Sequence, residues 1–530
     1  MKLPLLIALL IGIVAVPFAL RPKQSFTAAP DHTLIVVTPH NEAIRYEFGR
    51  AFREYMRSSQ NADVTIDWRT PGGTSEIARY IDSEYLAAFE FYWTQKLRKK
   101  WSLEVKGAFS DSKIQLPPDP AQDTPAQAVR RTFLASNISS GIDVFFGGGS
   151  FDFSIQANKG ALVDSGILKR HPEWFSADGI PATRGGEPFY DKDGRWIGAC
   201  LSSFGIVYNI DSLRLRGIAE PPKNWVDLGD PAYAHAIALA DPTKSGSILR
   251  AFEMLIQQQM HTVIDPGPAT PESISRGWEK GLQLIQKISA NAKYFTDAAP
   301  KVAIDVSSGD AAAGMCIDFF GRFQSESVAR PDGTSRVVYL SPSNGTSYGV
   351  DPVGIFRGAP HRELAEQFID FVLSDTGQRL WNSKIGAPGG PVKYQLRRLP
   401  VRPEFYGPDA LKFVTDPNVL PYSPAALFDY QGSWTGPLFK PIGFIIRVMC
   451  IDPHAELVSA WSALSAAKFP PQATAKFLDV SAVNYAYAGG DLKKTLNSPN
   501  KIEEVRLAKD LSEHFRAQYR EAERLAQEGL

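Results

Sequence analysis

The chain has 530 residues, of which 44% are apolar and 22% charged, with 57 basic side chains balancing 57 acidic ones. That length exceeds the roughly 250–300 residues at which one core stops growing, so two or more domains are expected, and the composition excludes long disorder. A net charge of zero removes the electrostatic basis for nucleic-acid binding, and three cysteines (Cys200, Cys316, Cys450) make neither a disulfide framework nor a metal-ligand spacing.

Met1-Lys2 precede LPLLIALLIGIVAVPFAL, an apolar run without charge until Arg21. Residues 1–30 therefore read as a signal peptide or an N-terminal membrane anchor. Thr27-Ala28-Ala29 offers small residues for cleavage, whereas Arg21 and Lys23 resemble a stop-transfer flank, so both alternatives stay open. Either one puts the remainder in a periplasmic or other extracytoplasmic location, tethered if the segment is uncleaved.

From Thr33 the segments alternate. TLIVVTP predicts a buried strand. NEAIRYEFGRAFREYM predicts a helix with Ile44, Phe48, Ala51, Phe52 and Tyr55 on one face and Asn41 as N-cap. VTIDWRTP predicts a second strand, after which Thr74 or Ser75 opens a helix. Such alternation gives a parallel sheet covered on both faces. Residues 96–125, charged and proline-containing, read as a surface insertion. AQAVRRTFLA restores a helix, and IDVFFGGGSF is a buried strand ending in glycines. RWIGACLSSFGIVYNIDSL is long and apolar enough to cross between domains.

A helix near Trp225, the strand IALADP, a helix from Ser247 and another over 274–290 follow. KVAIDVSSGDAAAGMCIDFFGRF predicts a strand, a small-residue helix start and a second strand. VVYLSP and YGVDPVGIF are strands that lead back to the first domain, and HRELAEQFIDFVLSDTGQRLW is one amphipathic helix. Residues 385–450 turn proline- and aromatic-rich. ELVSAWSAL is a helix, and 501–530 a helix packed by a single apolar stripe.

This order of features resembles the extracellular solute-binding proteins of ABC transporters, in the class of ferric-iron, thiamine, polyamine and phosphosugar binders. The residues that carry the resemblance are TLIVVTPHNEAI, IDVFFGGGSF, WIGACLSSFGIVYNIDSL with NWVDL, ADPTKSGS, KVAIDVSSGDAAAGMCIDFFG and FIDFVLSDTGQRLW. The resemblance implies an α/β, two-lobed periplasmic-binding-protein fold (type II), each lobe a sheet flanked by helices, with a hinge of crossing strands. Lobe 1 would span 31–195 plus 337–384 and lobe 2 205–330, leaving 385–530 as a C-terminal extension of open packing. It further implies one solute captured in the cleft and delivered to an ABC permease by a monomeric binding protein without cofactor or enzymatic activity.

In open parallel sheets ligands sit where strand ends lead into helix N-termini, which present free N–H groups and partial positive charge. On that basis the candidate ligand residues are His40 and Asn41; Gly72, Gly73, Thr74 and Ser75; Gly148, Gly149 and Ser150; Thr243, Ser245, Gly246 and Ser247; and Asp318 and Arg322. Hydroxyls and glycines at a helix start suit an oxyanion, and Arg322 could supply a bidentate fork. Each loop can equally be an ordinary cap. The expected solute is small and anionic, phosphorylated or carboxylated, with no protein-bound metal. Ferric iron or a ferric chelate is the alternative; no adjacent Tyr-Tyr pair occurs, and Tyr485-Ala486-Tyr487 comes nearest. A ligand sensor or an enzyme on the same fold are the remaining alternatives, although HExxH, Walker and GxGxxG patterns are missing from the sequence.

Overall fold

β-Branched and aromatic runs build two separate sheets, and the computed structural model describes residues 32–423, 428–498 and 500–530. The apolar N-terminal run and its signal-or-anchor reading lie outside the described residues.

The chain opens with β1 (His32–Val37), α1 (Glu42–Gln60), β2 (Val64–Arg69) and α2 (Thr74–Phe91). Asn41 caps α1 by accepting from Ile44 N–H at 3.1 Å. After α3 (Pro125–Leu134) come β3 (Val144–Phe146), α4 (Ser150–Lys159) and β4 (Leu162–Val163). Residues 96–125 are more than a surface insertion. Leu103–Ala108 is helical, and Val105, Ala108 and Phe109 are buried, with Phe109 stacked on Phe89 at 4.9 Å.

β5 (Ile197–Ser202) and β6 (Phe204–Asn209) are fully buried and separated by Ser203 alone, yet they belong to different sheets. The second sheet continues through β7 (Ile237–Ala240), α5 (Gly246–Ile264), α6 (Pro271–Ala290), β8 (Ala292–Thr296), α7 (Ala299–Ser308), β9 (Ala313–Ile317), α8 (Asp318–Ser327) and β10 (Val337–Leu340). KVAIDV is thus helical and not a strand. Val302, Ala303 and Val306 are buried at helical spacing, and Pro300 sits in the first turn, where its missing N–H leaves no hydrogen bond unmade.

β11 (Gly349–Phe356) returns to the first sheet, followed by α9 (Arg362–Leu373), α10 (Asp375–Asn382) and β12 (Leu399–Pro400). The expected single late helix is two, because Ser374 leaves the helix and caps α10 through Gly377 N–H. The sheet orders are β12–β5–β11–β3–β1–β2, with β4 beside β11, and β8–β7–β9–β6–β10. β1, β2 and β3 run parallel, as do β7, β8 and β9, while β5, β6, β10 and β11 pair antiparallel. VVYLSP therefore stays with the second sheet, paired to β6 from Val337 opposite Asn209, and the return to the first sheet begins at β11.

Each sheet has its own apolar core. One gathers residues from Leu34 to Leu201 and from Tyr348 to Val401; the other gathers Phe204 to Val337 and Phe428 to Ala526. The proline- and aromatic-rich extension therefore divides. Leu396, Leu399 and Val401 finish lobe 1, while α11 (His454–Ala466), α12 (Pro471–Phe477) and α13 (Lys501–Gln527) pack on lobe 2. Among the described residues one helical run, Gly432–Ile451, is long and apolar enough to cross a membrane, and it is largely buried in lobe 2. All three cysteines are buried, and burial raises each thiol's pKa.

Candidate functional site

The strands of both sheets that end in helix starts converge on a cavity of about 490 Å³ between the lobes, within the range of small-molecule sites (roughly 300–1,000 Å³). Lobe 1 contributes Pro39–Asn41 before α1, Gly72–Thr74 before α2 and Gly148 ahead of α4. Lobe 2 contributes Lys244–Ser247 before α5, Asp297–Pro300 before α7, and Ile317, Phe319 and Phe320 where β9 runs into α8. The lobes touch across this mouth: a Cβ on Gly73 would lie 3.3 Å from the Lys244 carbonyl, and one on Gly246 3.4 Å from Asp152 Oδ2.

Two of the three glycines after β3 are sterically required. Gly147 has φ +88° and a Cβ there would come within 2.3 Å of His40 Nε2. Gly148 has φ +122° and would meet Thr74 Cγ2 at 2.7 Å. Both positions combine a left-handed backbone with close approach to a cleft side chain, which only glycine tolerates.

Asp351 and Arg398 close the floor of the cavity. Arg398 Nη2 meets Asp351 Oδ2 at 2.6 Å, Nη1 meets His40 Nε2 at 3.3 Å, and the guanidinium lies 4.3 Å over the Phe319 ring. Ser202, at the hinge, donates to Asp351 Oδ1 at 2.8 Å. The Arg398 side chain is 1% exposed, so this is a buried ion pair resting on the crossing strands. Burial pushes the Asp351 carboxyl up, but the Arg398 charge outweighs it and holds the group at about 2. Desolvation lowers the His40 pKa to about 4 despite Asp351, so the imidazole is neutral at pH 7. With Nε2 accepting from Arg398, the ring proton sits on Nδ1. Both Nδ1 of His40 and Nε of Arg398 are buried donors without a partner. A buried unsatisfied donor carries a penalty of about 1–3 kcal/mol.

The formal charges of the lining do not favour an anion by themselves. Lys244 pairs with Asp297 at 2.6 Å, Arg398 pairs with Asp351, and Glu76 accepts from its own helix's Gly73 N–H at 2.9 Å. The positive potential comes from the helix N-termini, each worth about half a charge. Those of α4 and α7 have no side-chain cap. Ser245 Oγ accepts from Ile248 N–H at 3.4 Å, so it caps α5, yet its own proton remains free to donate into the cavity.

Nine of the sequence candidates line this cavity: His40, Asn41, Gly72, Gly73, Thr74, Gly148, Ser245, Gly246 and Ser247. Gly149 and Ser150 line a narrow annex of about 50 Å³ that shares Gly148, Gly246, Ser247 and Asp351 with it. Ser75 and Thr243 face a different cavity, and the Thr243 hydroxyl is committed to Asp241 Oδ1 at 2.7 Å. Asp318 and Arg322 line neither space. Arg322 folds back on its i−4 neighbour Asp318 at 3.2 Å and lies over Tyr339, beneath the cleft wall. The cation on the floor is Arg398, which sequence reasoning missed because it lies in the divergent, proline-rich part of the chain. Asp351 had a legible signal, a lone charge inside the apolar strand YGVDPVGIF.

A family model of bacterial extracellular solute-binding proteins matches residues 137–402, half of the chain. The chain belongs to this family. This solute-binding protein is 25% identical over 239 residues to an uncharacterized protein of Haemophilus influenzae, covering 45% of this chain and 60% of that one. It is 26% identical over 186 residues to the phosphoglycerate transport regulatory protein PgtC of Salmonella typhimurium, covering 35% of this chain and 40% of that one. The solute-binding protein thus spans 40–60% of the length of these curated relatives. Similar solved structures include the periplasmic binding protein P5PA, at TM-score 0.48 and 17% identity with 78% and 95% coverage. Another is AfuA from Actinobacillus pleuropneumoniae with exogenous fructose-6-phosphate bound, at TM-score 0.46 and 17% identity with 66% and 81% coverage.

Proposed function

We propose that this protein is the capture component of an ABC importer, working outside the cytoplasmic membrane. It closes its two lobes on one small solute carrying a phosphate or carboxylate and presents it, as a monomer, to a membrane permease. The observation that carries this reading is the pair of partnerless buried donors, His40 Nδ1 and Arg398 Nε, on the floor of a cavity ringed by helix N-termini. The solute's anionic group would sit on the floor and take these donors, while Thr74, Ser245 and Ser247 hydroxyls close over it from the two lobes. The relative named for phosphoglycerate transport favours a phosphorylated solute. The lining contains no tyrosine among the described residues, and Tyr485, from the nearest sequence pair, donates instead to Trp434 O at 2.8 Å, so oxyanion capture is preferred to ferric coordination.

A thermal-shift panel tests this directly: 3-phosphoglycerate, phosphosugars, dicarboxylates, thiamine, polyamines and ferric citrate. A phosphorylated or carboxylated compound should raise Tm, since ligand at a hundred times Kd adds about 2.7 kcal/mol of stability. No shift with any anion, together with a shift and a visible charge-transfer band with ferric salts, would replace the anion reading by the iron one.

A further inference from the structure

Behind the annex lies a second cavity of about 530 Å³, as large as the cleft. Its walls come from three parts of the chain: Ser75 and Arg79 on α2 with Asp152 and Ile155 on α4; Thr243 and Leu249 of lobe 2; and the segment 436–447 with Lys493, Leu496, Asn497 and Glu504 of the extension, beyond the 137–402 span of the family match. Phe151, Phe439 and Phe444 give it an apolar side, with Phe151 and Phe439 in contact across the lobe boundary at 4.4 Å between ring centroids.

The charged groups are distributed unevenly. Lys440 donates to Leu496 O, Arg447 pairs with Asp452 at 3.4 Å, and Glu504 is held by Lys501 at 2.8 Å. Arg79 and Lys493 have no ion-pair partner among the described residues, although they line the same cavity, one from lobe 1 and one from the extension. Two unpaired like charges that share a cavity repel, and an anion between them removes that repulsion. Asp152 lines both this cavity and the annex, which places the one remaining carboxylate at their junction and not between the two cations' own segments.

We propose that this cavity is a second binding site, for a free small molecule that joins an acidic head group to an apolar body. The head lies between Arg79 and Lys493, and the body lies against Phe151, Phe439 and Phe444. The inference stands apart from the reading of the cleft, because none of these five residues lines the cleft.

Hexyl phosphate is a suitable probe, titrated calorimetrically against the full chain with inorganic phosphate and hexanol as separate controls. Saturable 1:1 binding of hexyl phosphate is expected, at least tenfold tighter than either control. Arg79→Gln, at an exposed position, and Lys493→Gln, at a half-buried one, should each weaken it fivefold or more, while Ser247→Ala in the cleft, which leaves the buried ion pair intact, changes it less than twofold. Binding that survives both Arg79→Gln and Lys493→Gln would overturn the second site, and its loss in Ser247→Ala would assign the probe to the cleft. Absence of saturable binding, or equal binding of the two controls, would overturn it as well.

Discussion

At the residue scale, Arg398 holds Asp351 and His40 together and is the fixed cation of the cleft floor. Replacing it leaves Asp351 buried without its counter-charge, and breaking a buried pair in this way costs about 3–5 kcal/mol. Arg398→Gln should therefore lower both stability and solute affinity, whereas Asp351→Asn with Arg398→Gln restores most of the stability and not the affinity. Denaturant unfolding and calorimetry separate the two. The buried titratable groups set opposing pH dependences. Folded His40 titrates at about 4 against 6.5 when unfolded, so its contribution is lost as pH falls from 6.5 towards 4. Burial raises Asp152 to about 6 from 3.8, so its contribution is present below 3.8 and lost as pH rises through 6. His40→Gln should remove the first slope. Asp152→Asn should remove the second and be more stable than the parent at pH 7.5. Each slope is at most about 1.4 kcal/mol per pH unit, read from unfolding free energies between pH 4 and 8.

At the element scale, the start of α5 shows why a cap and a ligand contact are not exclusive. Ser245 spends its lone pair on Ile248 N–H and keeps its proton for the cavity, and Ser247 lines the same wall. Ser245→Ala with Ser247→Ala should weaken solute binding by about 2 kcal/mol while lowering stability by about 1 kcal/mol, the usual value of a cap. Equal losses would make the loop a cap alone. The hinge side is tied by a buried polar cluster. Glu187 of lobe 1 accepts from Arg250 of α5 and from Ser347 Oγ at 2.6 Å, while Glu253 takes Arg250 at 2.5 Å, Tyr430 OH at 2.9 Å and Thr435 Oγ1 at 2.5 Å. Glu187→Ala leaves Arg250 half-paired, so a loss of about 3 kcal/mol and a split of one unfolding transition into two are expected. Strand–loop–helix units such as IALADPTKSGS were legible because their apolar runs and hydroxyl caps are local signals. KVAIDV was misread because a run of six residues cannot distinguish the two periods, and its helix is fixed by burial of Val302, Ala303 and Val306.

At the scale of the whole molecule, two cores joined through Ser203, residues 341–348 and the extension between Val401 and Phe428 make rotation of one lobe against the other the natural motion. Small-angle scattering should show a smaller radius of gyration once the thermal-shift ligand is bound; an unchanged radius would place binding outside the interlobe cleft. The extension is part of lobe 2 and no appendage. α13 sets Tyr519 between Phe477 and its own Phe515, and Tyr519 OH donates to Met449 O at 2.9 Å. Tyr519→Ala should cost about 3–5 kcal/mol, the usual penalty for emptying an aromatic core site.

The sequence by itself determined the alternation of strands and helices, the crossing between lobes, and most of the loops that ring the cleft. These are local properties: side-chain periodicity, glycine conformation and hydroxyl caps act within a few residues of where they are written. Only the tertiary structure decided that Arg398 and Asp351, 47 positions apart in sequence, form the floor, that Arg322 turns back onto Asp318, and that the extension closes lobe 2 and walls a second cavity. Those outcomes depend on which buried charges find partners across distant segments, and no local pattern in the chain records that pairing.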